Sequence, residues 1–94
     1  MLRKDWDDMA DNGRKGDWYF HHNDTYITIR YGDEVMEVVT IPILAPVEED
    51  DKRSWRWDGN KESPTVHPSI KVYGRPGEPD LWHGYLQAGK IVEA

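Results

Sequence analysis

Hydrophobic and polar residues alternate with a period of two along much of the chain after the first 16 residues. In "DWYFHH" the alternation places Trp18 and Phe20 on one face, and in "TYITIRY" it places Ile27 and Ile29 on one face. This is the spacing at which side chains share one face of a β-strand. With tight turns between the alternating stretches, residues 17–41 are predicted to form a three-stranded antiparallel meander.

The second half of the chain is predicted to form short strands separated by proline and glycine residues. "WRW" places Trp55 and Trp57 on one face of a strand, "SIKVY" and "LWHGYLQ" are strand-like, and "KIVE" closes a hairpin. Residues 47–54 are predicted to form an acidic loop, and residues 1–16 a short helix or a flexible arm. The pattern predicts a mainly β fold: a small antiparallel sandwich or open barrel of about seven short strands, with at most one short N-terminal helix.

Length and composition narrow the class of protein. The 94 residues predict a single domain, 1–94, and the absence of cysteine removes disulfides, thiolate metal ligands and cysteine nucleophiles. A net charge of −6 disfavours direct binding to nucleic acid, which draws on clustered lysine and arginine. No apolar run approaches the roughly 20 residues of a membrane span. A non-exported protein without membrane contact is therefore expected.

Four histidines offer a candidate metal site. His21 or His22, together with His67 and His83, could supply three ligands to zinc, but their spacing follows no recognised ligand motif. We therefore predict neither a metal nor a cofactor.

The three serines give little sign of nucleophilic chemistry. None lies in a G-x-S-x-G elbow, and Ser69, which follows Pro68, is interpreted as a hydroxyl that satisfies a nearby backbone group. No glycine loop of the phosphate-binding kind is present. The sequence therefore predicts a protein that is not an enzyme.

Aromatic residues are abundant for a chain of this size, with five tryptophans, five tyrosines and one phenylalanine. Most of these rings are expected in the core, but the number suggests that some contact a ligand. Together with histidine and arginine they predict a pocket for a small aromatic or anionic ligand, such as a signalling nucleotide. The predicted ligand-binding residues are Trp55, Trp57, His67, Arg75, Trp82, His83 and Tyr85.

From Trp55 onward the chain resembles a family of small uncharacterised proteins of tailed bacteriophages and prophages. The resemblance rests on "W-x-W-D-G-N-x-x-x-P-T-x-x-P-S-I" and on "W-H-G-Y-L-x-x-G-K-I", and it covers about the last forty residues. Many members of that family carry a cysteine pair upstream and a Cys-His dipeptide where this chain has Trp82 and His83, which implies a zinc knuckle. Here only His83 matches, so the resemblance implies that such a site is lost.

What the resemblance implies is a setting, the cytoplasm of an infected bacterium. We therefore hypothesise a phage accessory protein that counters host defence or alters host physiology by stoichiometric binding, either through the aromatic pocket or through an acidic surface that meets a host protein complex. A homo-oligomer could complete the pocket. The alternatives are a structural or morphogenetic phage protein and a small metal-dependent hydrolase. The predicted partner-binding residues are Asp5, Asp7, Asp8, Glu48, Glu49, Asp50 and Asp51.

Overall fold

A computed structural model describes residues 1–45 and 53–94. These residues form one short helix and seven strands. The elements are α1 (Trp6–Asn12), β1 (Trp18–His21), β2 (Tyr26–Arg30), β3 (Val38–Leu44), β4 (Trp55–Trp57), β5 (Val66–Val72), β6 (Trp82–Gln87) and β7 (Lys90–Glu93).

The seven strands lie in one curled sheet, in the same order as in the chain. Neighbouring strands are antiparallel except β3 and β4, which are parallel with Ile43 beside Trp55. The ten residues 45–54 separate these two strands, far more than the two-residue turn that joins an antiparallel hairpin. The predicted mainly β fold is confirmed, and of its two forms the open barrel is the one that occurs, since a sandwich would need two sheets.

Local sequence explains how the chain enters and leaves these elements. The Asp5 carboxylate caps α1 by accepting a hydrogen bond from the Asp8 backbone N–H at 2.9 Å. Met9 is the buried residue of this helix. Ala88 and Gly89 both have positive φ, as the tight turn between β6 and β7 requires.

The core lies on the inner, concave face of the curled sheet. β2 contributes Ile27 and Ile29, which are fully buried, and β6 contributes Trp82 and Leu86. The other buried members are Trp18, Tyr31, Ile41, Ile43, Trp57, Val66 and Ile70. Residues between these positions along β6 point to the outer face, and the side chains considered next lie there.

No helix within the described residues is long and apolar enough to cross a membrane.

Candidate active site

The pairing between β5 and β6 is irregular at one place. Val66 pairs with Leu86 and Ile70 pairs with Gly84, so three residues of β5 lie opposite a single residue of β6, Tyr85. Such bulges bend a strand and re-aim its side chains, and they are common beside active sites. Ser69 is the last of the three residues in this irregular segment.

The side chain of Ser69 meets an imidazole on the next strand. Its Oγ lies 3.1 Å from Nε2 of His83. On β6, Trp82 and Gly84 are buried while His83 between them is half-buried, so His83 points to the outer face of the sheet. Ser69 is half-buried as well. The hydroxyl and the imidazole are thus in contact at a surface that a substrate can reach.

This pair is distinctive among the serines and histidines of the chain, all of which lie within the described residues. The Oγ of Ser63 accepts a hydrogen bond from the Asn60 side chain and has no imidazole beside it. A second hydroxyl–imidazole contact joins Thr28 to His21, also at 3.1 Å, but Thr28 is only 1% exposed. Because a buried hydroxyl cannot reach a substrate, Ser69 is the hydroxyl with both an imidazole partner and an open approach.

The contact has the geometry of an activated nucleophile. A serine hydroxyl is a weak nucleophile until an adjacent base removes its proton, and the distance from Ser69 to His83 lies within the range for that transfer. For His83 to accept this proton at Nε2, its neutral form must carry hydrogen on Nδ1. Within residues 1–45 and 53–94, Nδ1 has no hydrogen-bond partner, and the arrangement there is a dyad.

The outer face continues beyond the dyad as an exposed surface. Lys71 pairs with His83 across the two strands, and its Nζ lies 3.9 Å from Asp80. Farther along, Tyr73 is 74% exposed and Leu81 is 61% exposed. A cation therefore lies next to His83, and two large exposed side chains follow just beyond the adjoining ends of β5 and β6.

A groove in the described surface lies elsewhere. It has a volume of about 380 Å³ and is lined by residues that include Leu2, Phe20 and Lys61. Phe20 packs against the buried Trp57, so this groove opens beside the core face of the sheet. Neither Ser69 nor His83 lines it, and the dyad is an open surface site.

The predicted ligand-binding residues lie on both faces of the sheet. Trp57 is buried and donates its indole N–H to the Asn60 carbonyl, and Trp82 is buried in a stack on Tyr31 with ring centroids 5.9 Å apart. His83 and Tyr85 lie on the outer face. Because a sheet separates its two faces, Trp82 and His83 cannot line the same surface.

The other predicted ligand-binding residues are spread along the chain. Trp55 is half-buried against the core, His67 is exposed, and Arg75 is exposed in the loop between β5 and β6. Of the seven predicted residues, the structure places His83 in the dyad.

The predicted acidic surface has two parts, and one of them is described. Asp5 caps α1, Asp7 is exposed, and Asp8 accepts hydrogen bonds from the Lys4 backbone and the Asn12 side chain. The Lys4 N–H lowers the pKa of the Asp8 carboxyl, and the Asn12 amide adds to this effect. The residues Glu48, Glu49, Asp50 and Asp51 lie outside the described residues.

The three-histidine zinc arrangement does not form in the described part of the chain. No three histidine, aspartate or glutamate side chains converge there. His21 bonds to Thr28 and His83 bonds to Ser69, so each imidazole has a hydroxyl partner instead.

Sequence reasoning assigned Ser69 the wrong partner. It expected a nearby backbone group, whereas the hydroxyl contacts a side chain 14 residues away. The available signal was that "PSI" and "WHG" lie in neighbouring strand-like segments joined by a Gly- and Pro-rich loop. Such an arrangement brings the two segments side by side, but it leaves the facing pairs undetermined.

Comparison with known proteins supplies the class of chemistry. No curated protein and no solved structure matches this chain. One family model does match, over residues 7–94, and its description is "Bacterial ubiquitination-like system serine protease (BubE)".

The prediction of a non-enzymatic phage accessory protein that acts by stoichiometric binding is therefore wrong. The hydrolase alternative fits better, but with serine chemistry in place of the expected metal dependence. Since the match spans nearly the whole chain, the protein belongs to the BubE family of bacterial ubiquitination-like system serine proteases.

Proposed function

We propose that the protein is a serine peptidase in which Ser69 is the nucleophile and His83 is the general base. The observation that carries this assignment is the 3.1 Å contact between Ser69 Oγ and His83 Nε2 on the outer face of the sheet. A serine protease acts through a reactive serine, so the family match leads us to expect one here, and the other two serines of the chain have no described imidazole partner.

The acylation step follows from this contact. His83 Nε2 takes the hydroxyl proton as Oγ attacks the carbonyl carbon of the substrate amide, and a tetrahedral oxyanion forms. The carbon–nitrogen bond then breaks, and the imidazolium returns its proton to the departing amine. The products are a free amine and an ester between the substrate acyl group and Ser69.

Deacylation reuses the same base. His83 removes a proton from water, the resulting hydroxide attacks the ester carbonyl, and Ser69 Oγ leaves and recovers its proton from the imidazolium. The second product is a carboxylic acid, and the dyad returns to its starting state. Because both half-reactions use one imidazole, loss of His83 must slow both.

The substrate class that fits this chemistry is an amide of a polypeptide. The family description points to a ubiquitination-like system. In such a system the bond cleaved would be a peptide bond near the end of a modifier or the bond that joins a modifier to its target. The open position of the dyad suits such a substrate, since a polypeptide segment can lie on an outer face without entering a deep pocket. The predicted setting, the bacterial cytoplasm, belongs to the same proposal, and the phage origin stays a prediction.

A fluorophosphonate probe tests the assignment without knowledge of the natural substrate. The probe forms a covalent bond with a serine only when its hydroxyl is activated, and intact-protein mass spectrometry followed by peptide mapping locates it. We expect a single adduct on Ser69, its complete loss in Ser69→Ala, and a loss of rate of roughly 100-fold or more in His83→Gln.

Two matched variants serve as controls. Ser63→Ala removes another serine hydroxyl, and His21→Gln removes the imidazole of the buried hydroxyl–imidazole contact. Both should label at the wild-type rate. Absence of any adduct on wild-type Ser69, or undiminished labelling in His83→Gln, would refute the dyad.

A further inference from the structure

The backbone carbonyl of Ser69 points away from β6, the strand that carries His83, the partner of the Ser69 hydroxyl. Ile70 pairs with Gly84 of β6, and the Val72 carbonyl accepts a hydrogen bond from Leu81 N–H at 2.7 Å. Backbone groups of successive residues point to opposite edges of a strand. The Ser69 carbonyl therefore faces the other edge of β5, the one toward β4.

At that edge the strand ladder has ended before it reaches Ser69. β4 has three residues, and its pairs with β5 are Trp57 with Val66 and Arg56 with His67. Within the described residues, the indole N–H of Trp55 takes the place of a ladder donor, and it lies 3.2 Å from the Ser69 carbonyl oxygen. A side chain thus holds the backbone of the nucleophile.

The indole is well suited to hold the carbonyl in place. Trp55 packs against the core, and a tryptophan side chain has only two rotatable χ angles. Its N–H is consequently held in a fixed direction, unlike the donor of a long flexible side chain. Ser69 needs such support because it lies in the irregular segment of β5, where the regular ladder with β6 is interrupted.

We propose that Trp55 is a positioning residue for the reaction: its indole N–H fixes the Ser69 backbone so that Oγ points at His83. This inference rests on the proposed function of Ser69. Its physical basis is that a nucleophile attacks efficiently only from a narrow range of positions, and a displacement of about 1 Å can cost roughly 100-fold in rate. Because Trp55 acts through the Ser69 backbone, we expect its effect in the chemical step.

The chain offers a matched control on the same strand. Trp57 also donates its indole N–H to a backbone carbonyl, that of Asn60, and at the same distance of 3.2 Å. Trp55→Phe and Trp57→Phe therefore each remove one indole-to-carbonyl hydrogen bond of the same length, 3.2 Å, from the two ends of β4. Only the first removes a bond to the proposed nucleophile.

The experiment measures kinact and KI for fluorophosphonate labelling of Ser69 in the full chain, with the melting temperature of each variant recorded beside them. We expect Trp55→Phe to lower kinact roughly 10- to 100-fold with KI unchanged, and Trp57→Phe to keep kinact near the wild-type value. Equal kinact in the two variants would overturn the inference. If wild-type Ser69 is not labelled at all, the proposed function fails instead.

A second substitution separates the hydrogen bond from the packing. Benzothienylalanine at position 55 preserves the two-ring shape of tryptophan but replaces the N–H with sulfur. If Trp55→Phe does not fold, this variant provides the measurement. A lowered kinact in a protein with the wild-type melting temperature supports the inference, and an unchanged kinact excludes it.

Discussion

The hydroxyl oxygen of Ser69 lies 3.1 Å from Nε2 of His83, although 14 positions and a turn separate the two residues. The contact depends on the irregular pairing that places three residues of β5 opposite one residue of β6. It also depends on the inward burial of Trp82 and Gly84, which directs His83 outward. The site is therefore a product of strand register.

Replacement of Ser69 by alanine should abolish the reaction at little cost in stability. Ser69 is half-buried, and its side chain makes one described hydrogen bond, so we expect the free energy of unfolding to fall by about 1 kcal/mol or less. Urea denaturation of Ser69→Ala beside the wild type measures this. A loss of several kcal/mol would show that Ser69 chiefly maintains the fold, which contradicts a catalytic role.

Asp17 should stabilise the fold at neutral pH but not in strong acid. Burial alone raises the pKa of its carboxyl, but hydrogen bonds from the Arg3 guanidinium and the Arg14 N–H outweigh this and hold the pKa below its ordinary value of 3.8. A carboxyl with a lowered folded-state pKa contributes stability that is full above the unfolded value and is lost as pH falls through the folded value.

We therefore expect Asp17→Asn to lower the free energy of unfolding by about 1–3 kcal/mol at pH 7. The gap from the wild type should close as the pH falls below 3.8. Urea titrations at pH 7 and near pH 3 measure both quantities, with the exposed Asp11→Asn as control. A gap that is equal at both pH values would show that the charge of Asp17 is not what stabilises the fold.

His21 should make the protein less stable in mild acid. Burial lowers the pKa of its imidazole from the ordinary 6.5, and the neighbouring His22 adds to the effect. The unfolded chain then binds a proton more readily than the folded one, so stability decreases as pH falls through 6.5 toward the folded-state value.

The variant His21→Gln should remove this part of the pH dependence while retaining a polar partner for Thr28. Melting temperatures at pH 7.5 and pH 5.5 give the comparison, with the exposed His67→Gln as control. If the melting temperatures of the wild type and of His21→Gln fall by the same amount between pH 7.5 and pH 5.5, burial of His21 is not coupled to its protonation.

Gly84 should not tolerate a side chain, because the backbone beside His83 is closely packed. A Cβ at this position would lie 2.5 Å from the Val92 carbonyl oxygen and would overlap the Trp82 ring. We expect Gly84→Ala to lower the free energy of unfolding by about 1–3 kcal/mol. Thermal and urea unfolding measure the loss.

Gly77→Ala is the comparison for this substitution. Gly77 has open space around it and a positive φ of 85°. Gly77→Ala should therefore lower the free energy of unfolding by about 1–2 kcal/mol through backbone strain alone. The two variants should differ in how their stability changes when Trp82 is replaced by the smaller phenylalanine. Trp82→Phe should restore part of the stability lost in Gly84→Ala and none of that lost in Gly77→Ala; equal behaviour would rule out the clash with the ring.

The sequence by itself determined the strands and several of the turns. Alternation marked the buried pair Ile27 and Ile29, and the Ala88-Gly89 dipeptide marked the turn before β7. These features depend on local chain geometry and on which side of a single strand is apolar, and both can be read from neighbouring residues. Of the dyad, sequence reasoning named His83 among the site residues and read Ser69 as a backbone-bonding hydroxyl.

Only the tertiary structure decided which side chains meet. Strand pairing can be shifted without changing the alternation within either strand, so the sequence could not show that the bulge in β5 brings Ser69 to His83. Nor could it separate Trp55 from Trp57, which share a face of β4 but donate to different carbonyls, one of them that of Ser69. These contacts join positions distant in the chain, and register, strand length and the curl of the sheet fix them together.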